Sequence, residues 1–248
     1  MEYLRTNHDF WDGIAKKWQP HGDAVNHVVG WYDAHNNWPD YETILFEGIE
    51  TKDKIALEYG CGPGRNIIKF MTEKWGFDVI DGVDISKTNI VNAWTNIQVR
   101  GDDYLLSRQK KPMLFYNDGC HFSGTAVYQD GSEGPVTAID GLYDVVFSVI
   151  ALQHIQSHKA RQTIFEEAFR VLKPGGWFTA QMGFGPGHPR SVDYFNDDQP
   201  HIDGDVRVEN VDHLWQDLDK AGFYDMQYCL RPTVHDEHPN WIWFKVHK

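Results

Sequence analysis

The stretch ALEYGCGPGRN, residues 56–66, sets glycines at alternate positions, Gly60, Gly62 and Gly64, between an apolar run and a helical pattern. Glycine accepts backbone conformations that side chains forbid, and it lets a ligand approach the main chain closely. KIALEY (54–59) ahead of it reads as a buried strand. Behind it, Ile67, Ile68, Met71 and Trp75 recur at helical spacing, with Gly76 as a stop. A GxxxxGK[ST] phosphate loop is excluded, because no lysine followed by Ser or Thr stands at that spacing. The dinucleotide pattern GxGxxG lacks its third glycine, since Arg65 stands there, and the spacing is GxGxG with Glu58 on the preceding strand. Spacing alone leaves a dinucleotide open. Asp84, twenty residues past Gly64 at the end of a second strand, is placed to accept from both ribose hydroxyls of an adenosine.

From Lys54 onward, strand-like and helix-like segments alternate, which predicts a parallel sheet with crossover helices. DVIDGVDI (78–85), PMLFYND (112–118), YDVVFSVI (143–150) and WFTAQM (177–182) read as further strands. One helix carries Ile90, Ala93, Trp94 and Ile97, and another carries Ile164, Phe165, Ala168, Phe169 and Leu172 and closes at KPGG (173–176). Residues 119–141 hold five glycines and few periodic apolar positions, the pattern of a long loop or small inserted hairpin. Residues 183–207 form a second polar insertion. Asn210 caps a helix bearing Val211, Leu214, Trp215 and Leu218 that ends at Gly222. FYDMQYCL (223–230) and WIWFKV (241–246), with no helix between them, should pair antiparallel.

ExGxGxG, GVDIS, YNDG, YDVVFSVIALQHI and FRVLKPGG, in this order, resemble the class I S-adenosylmethionine-dependent methyltransferases, from Lys54 to Met182 and again through the terminal hairpin. The resemblance implies an α/β fold, a Rossmann-like three-layer sandwich whose seven-stranded, mostly parallel sheet ends in an antiparallel strand hairpin. It implies S-adenosyl-L-methionine as cofactor and S-adenosyl-L-homocysteine as product. Gly60, Cys61, Gly62 and Gly64 would run beneath the methionine part, with Glu58 holding its ammonium. Asp84 would bind the ribose and Ile85 would lie against the adenine. Asp118 would accept from the adenine amino group with Gly119 or Cys120 beside it, and Ser148 and Val149 would lie beneath the sulfonium. Residues 1–53 resemble the helical lid of small-molecule members, and 54–248 would be the cofactor-binding domain.

Methyl transfer from a sulfonium mainly requires alignment and exclusion of water, and an alcohol acceptor also needs a base. His154, directly after the fourth strand, is the first candidate base, with His188 a second. Trp11, Trp31, Tyr32, Tyr194 and His201 are candidate acceptor-binding residues. The histidines of HDEH (235–238) with His188, His201 and Asp203 raise a metal reading, but no HExxH or other ligand signature is present and no metal is expected.

A formal charge of -13 argues against a nucleic-acid partner, whose backbone such a surface repels on average. Cys61, Cys120 and Cys229 form neither a CxxC pair nor a disulfide framework. With no signal peptide and no membrane-length apolar stretch, a cytoplasmic enzyme with a small-molecule methyl acceptor (O or N) is expected. The competing readings are a non-catalytic cofactor-binding scaffold of the same fold, an NAD-linked oxidoreductase, and a macromolecule methyltransferase.

Overall fold

The computed structural model describes residues 2–18, 41–101, 103–187, 191–197, 205–232 and 239–248. The chain divides into two units, one of residues 1–39 and 48–139, the other of residues 40–47 and 140–248.

The first unit begins with α1 (Glu2–Trp18); the next helix among the described residues, α2 (Tyr41–Phe46), belongs to the second unit. Strand β1 (Ile55–Tyr59) leads through the glycine turn into α3 (Arg65–Phe70), and β2 (Val79–Asp84) lies parallel to β1. Helix α4 (Lys87–Arg100) starts at Ser86, whose hydroxyl accepts from the Asn89 amide at 3.1 Å, and the short α5 (Asp103–Ser107) follows. Strand β3 (Leu114–Asn117) continues the parallel order beside β2. Leu57, Ile67, Phe70, Ile80, Val83, Ile90 and Phe115 form the buried core of this unit.

The 119–141 insertion is a hairpin: β4 (Ser123–Val127) pairs antiparallel with β3, and β5 (Glu133–Thr137) pairs antiparallel with β4. The Trp94 indole of α4 donates to the Val127 carbonyl at 2.6 Å and fastens the hairpin to the helix.

In the second unit, β6 (Tyr143–Ser148) leads into a 3₁₀ turn (Leu152–His154) and α6 (His158–Val171). Strand β7 (Leu172–Phe184) lies parallel to β6. The short β8 (Ser191–Val192) pairs with β9 (Asp205–Val208), which also runs parallel to β7. Helix α7 (Val211–Ala221) then leads to β10 (Tyr224–Pro232) and β11 (Asn240–His247), an antiparallel pair joined to β7 through β11. Phe147, Ile164, Phe165, Phe178, Leu214, Phe223 and Phe244 are its buried core. Tyr41 of α2 stacks on Trp243, with ring centroids 6.1 Å apart.

The architecture is the expected mixed α/β fold, mostly parallel with an antiparallel terminal pair. All seven expected strands are present; β4, β5, β8 and β9 are additional, so seven undercounts the strands. Three local expectations are corrected. The helix after the glycine turn stops at Phe70, and Trp75 lies beyond it. The helix closes ahead of KPGG as expected, at Val171, but Leu172 belongs to β7 rather than to the helical face, and pairing jumps from Tyr143↔Leu172 to Val145↔Trp177, so Lys173–Gly176 forms a bulge within the strand. The 183–207 segment is not wholly a polar loop, because Asp205–Val208 is a buried strand.

Candidate functional site

Glycine is required in the turn after β1 because Gly60, Gly62 and Gly64 all have positive φ, at 71°, 51° and 81°. The Gly60 and Cys61 amides both donate to the Val83 carbonyl, at 2.8 and 3.0 Å, which ties the turn to the end of β2. A side chain at Gly64 would meet Ala93 Cβ at 3.0 Å, so this glycine lets the turn pack on α4. Among the described residues, a Cβ on Gly62 would meet nothing within 4 Å, so the turn is open to them on that side.

Two acidic residues flank the opening. Asp84 is buried; its Oδ2 accepts from the Gly62 amide at 2.9 Å, and its Oδ1 accepts from the Ser86 amide at 2.8 Å and Asn89 Nδ2 at 3.2 Å. A carboxylate offers about four acceptor sites, so the group that shapes the turn retains capacity for a ribose hydroxyl. Burial pushes Asp84 above the ordinary carboxylate range, against the pull of these three donors. Glu58 is buried more deeply, with Oε1 accepting from Asn66 Nδ2 at 2.6 Å. Its Oε2 has no hydrogen-bond partner among the described residues. Burial pushes Glu58 well up; Asn66 offsets part of this and the nearby Asp84 adds to it. An orphaned buried carboxylate oxygen beside an open glycine turn fits a cationic ligand group such as an amino acid's ammonium.

Cys61 is buried, and its thiol is pushed well up by burial and by Asp84 and Glu58, so it is no nucleophile near neutral pH. Burial brings the Arg65 guanidinium down to about 10. Ile85 is half-buried directly after Asp84.

At the end of β3, Asp118 Oδ1 accepts from the Cys120 and His121 amides at 3.0 and 2.9 Å, and Oδ2 lies 2.6 Å from His121 Nδ1. Burial pushes its carboxyl up, but the two amides and the His121 ring outweigh that and hold it below the usual range. The Tyr59 hydroxyl donates to the Gly119 carbonyl at 2.6 Å, linking this turn to β1. Asp118, Cys120 and His121 also bring their ligand atoms within 4.8 Å of one another.

Helix α1 reaches the same region. Asp12 Oδ1 accepts from the Ser86 hydroxyl at 2.9 Å and from the Thr88 amide at 3.0 Å, capping α4 from outside its own sequence. Trp11 is half-buried in α1, edge-on to Phe10.

In the second unit, Ser148 and Val149 are buried where β6 ends, and Ile150 follows with φ 56°. His154 Nδ1 lies 2.6 Å from Asp205 Oδ1. Tyr194 is buried and donates to Asp217 at 2.7 Å, while His158 Nε2 lies 2.8 Å from the same oxygen. That packing makes Tyr194 a strut between α6 and α7 rather than a ring presented to a ligand. Trp31, Tyr32, His188, His201, Asp203 and HDEH (235–238) lie outside the described residues.

The residues that sequence reasoning missed are the partners: Asn66, Ser86, Asn89, Asp12 and Asp205. Asn66 and Asn89 sit eight and five residues from the acids they serve, a local spacing that gives a usable signal. Asp12 and Asp205 carry none.

The family model described as Methyltransferase domain matches residues 57–180, half of the chain. A search of curated proteins finds no significant match. Among solved structures, a phosphoethanolamine N-methyltransferase 2 from Haemonchus contortus, in complex with phosphomonomethylethanolamine and S-adenosylhomocysteine, is similar at 17% identity and a TM-score of 0.58. The match covers 85% of this chain and 53% of that one, so the chain spans about half the Haemonchus protein's length. A chain from the Haloferax volcanii complex of the Trm112 methyltransferase activator with a methyltransferase is 13% identical, with a TM-score of 0.56 over 98% of this chain and 96% of that one. A possible histamine N-methyltransferase from Thermotoga maritima is 16% identical, with a TM-score of 0.51 over 93% and 99% of the respective chains. At these identities the structures speak to the fold, and the family match speaks to descent: the chain belongs to the class I S-adenosylmethionine-dependent methyltransferases.

Proposed function

We propose that this protein transfers the methyl group of S-adenosylmethionine to an oxygen or nitrogen of a small-molecule acceptor. The observation that carries the reading is the open Gly62 side of the turn, flanked by the buried carboxylates Glu58 and Asp84. The cofactor supplies an electrophilic methyl on a sulfonium with a good leaving group. Glu58 Oε2 would take the cofactor's ammonium, and Asp84 would accept from a ribose hydroxyl while holding the Gly62 amide. Ile85, Asp118 and Gly119 would border the adenine, and Ser148 and Val149 would lie beneath the sulfonium. His154 would take the acceptor's proton, with His188 the alternative base. Residues 1–53, including Trp11, Trp31 and Tyr32, would form a lid that excludes water, with His201 contributing to acceptor binding.

Two of the similar structures carry names that point to amine methylation, a phosphoethanolamine N-methyltransferase and a possible histamine N-methyltransferase. Incubation with methyl-labelled cofactor and a panel containing phosphoethanolamine, histamine and simple phenols tests the reading. Label in at least one small acceptor is expected. A protein that binds the cofactor yet labels none of a broad panel is instead a scaffold, or acts on a macromolecule.

A further inference from the structure

A buried polar chain in the second unit starts on a main-chain amide and ends on an imidazole. The Ile150 N–H donates to Gln181 Oε1 at 3.0 Å. Gln181 Nε2 donates to Gln153 Oε1 at 2.8 Å, and Gln153 Nε2 donates to Asp205 Oδ2 at 3.0 Å. Asp205 Oδ1 lies 2.6 Å from His154 Nδ1. Gln153, Gln181 and Asp205 are all buried.

The direction of this chain follows from its first link. The oxygen and nitrogen of a glutamine amide are normally assigned only from their partners. Here a backbone N–H can only donate, so the Gln181 end that faces it is the carbonyl. The Gln181 NH₂ must then donate onward, which turns the Gln153 carbonyl toward it and the Gln153 NH₂ toward Asp205. Reversing either amide would set donor against donor or acceptor against acceptor in a buried place, leaving groups unsatisfied where water cannot compensate. Asp205 therefore receives the Gln153 NH₂ on Oδ2, and its Oδ1 is aimed at His154. The residue that supplies the first N–H, Ile150, holds a left-handed backbone that β-branched residues rarely adopt. Such strain is kept at sites the surrounding fold over-determines.

We propose that Asp205 is the positioning residue of His154: it holds the imidazole with its proton on Nδ1, so that Nε2 is the basic nitrogen. The proposal rests on the methyltransferase reading for the role of that nitrogen. In the transfer, the acceptor's lone pair forms the bond to the methyl carbon and the carbon–sulfur bond breaks with its electron pair going to sulfur. The acceptor's proton passes to Nε2. The Asp205 carboxylate stabilises the imidazolium through Nδ1–H. The arrangement serves an acceptor that arrives with a proton to lose, a hydroxyl or an ammonium, and is superfluous for one that arrives without.

The test is nitrogen NMR of the full chain labelled at histidine, with S-adenosylhomocysteine added and the His154 signals identified by their loss in His154→Gln. In the neutral ring the wild type should show a pyrrole-type Nδ1 and a pyridine-type Nε2. In Asp205→Asn, Gln153 still donates to the oxygen of the new amide, so its NH₂ faces Nδ1 and the tautomer should invert. A wild-type His154 with its proton on Nε2, or a tautomer unmoved by Asp205→Asn, overturns the proposal; the wild-type spectrum decides alone if the variant does not fold. Calorimetry with S-adenosylhomocysteine on the same sample separates the two readings. Absence of binding defeats the methyltransferase assignment and leaves the tautomer result standing as a property of the fold.

Discussion

Glu58 is where a single atom says most about the ligand. Burial pushes this carboxyl, with one oxygen unpartnered among the described residues, well above the ordinary glutamate range, so the cofactor-free protein favours its neutral form more than water does. An ammonium beside it reverses that preference, so cofactor binding should expel a proton. Calorimetry in buffers of different ionisation enthalpy should therefore show proton release for the wild type and none for Glu58→Gln. The same substitution should weaken cofactor binding about 10- to 100-fold, as expected for a hydrogen bond to a charged group worth about 1.5–3 kcal/mol. Equal buffer dependence in both proteins would remove Glu58 from the site. The sign for stability follows. Glu58's folded value lies above its unfolded one, so as pH rises past the ordinary glutamate value the unfolded chain ionises first. The cofactor-free protein then loses stability as pH climbs through that window.

Among the elements, α1 and α4 show how an N-terminal helix is tied to the turn that follows β2 within one unit. Asp12 of α1 caps α4 beside the Ser86 amide that holds Asp84. Asp12→Ala should cost about 1 kcal/mol in urea unfolding, the usual loss for a helix cap. Burial alone would raise Asp12, but Lys16, Thr88 and Ser86 outweigh it and hold the carboxyl far below its ordinary value. Its stabilisation is thus present at neutral pH and fades as pH falls below the ordinary carboxylate value. At the end of α7, Gly222 has φ 106°, and a Cβ there would meet Phe169 at 2.8 Å. Gly222→Ala should lower the free energy of urea unfolding by more than the ~1 kcal/mol of an ordinary glycine effect. These two elements mark what the sequence discloses. Asn210 and Gly222 announce both ends of α7 because caps are local in sequence. The Asp12 cap spans 74 residues and the Gln153–Asp205 link spans 52, distances over which no periodicity carries information. KPGG is legible only in part: glycine and proline mark a break in regular structure, and here the same residues follow a helix end and make a strand bulge.

Over the whole molecule, the order of strands, glycine turn and acidic residues was legible, since each rests on spacing within some thirty residues. The added strands β8 and β9 were not, because the 183–207 composition is polar and β9 is buried by its place beside β7 rather than by an apolar run. Among the described residues, no helix is long and apolar enough to cross a membrane. The central claim is that the turn after β1 and the acid at the end of β2 form the S-adenosylmethionine site. Isothermal calorimetry with S-adenosylmethionine and S-adenosylhomocysteine on the wild type and Asp84→Ala tests it most directly. Both compounds should bind the wild type, and Asp84→Ala should bind them at least about tenfold more weakly, by loss of charge-assisted hydrogen bonds. Failure of both compounds to bind the wild type, or equal binding by Asp84→Ala, would contradict it.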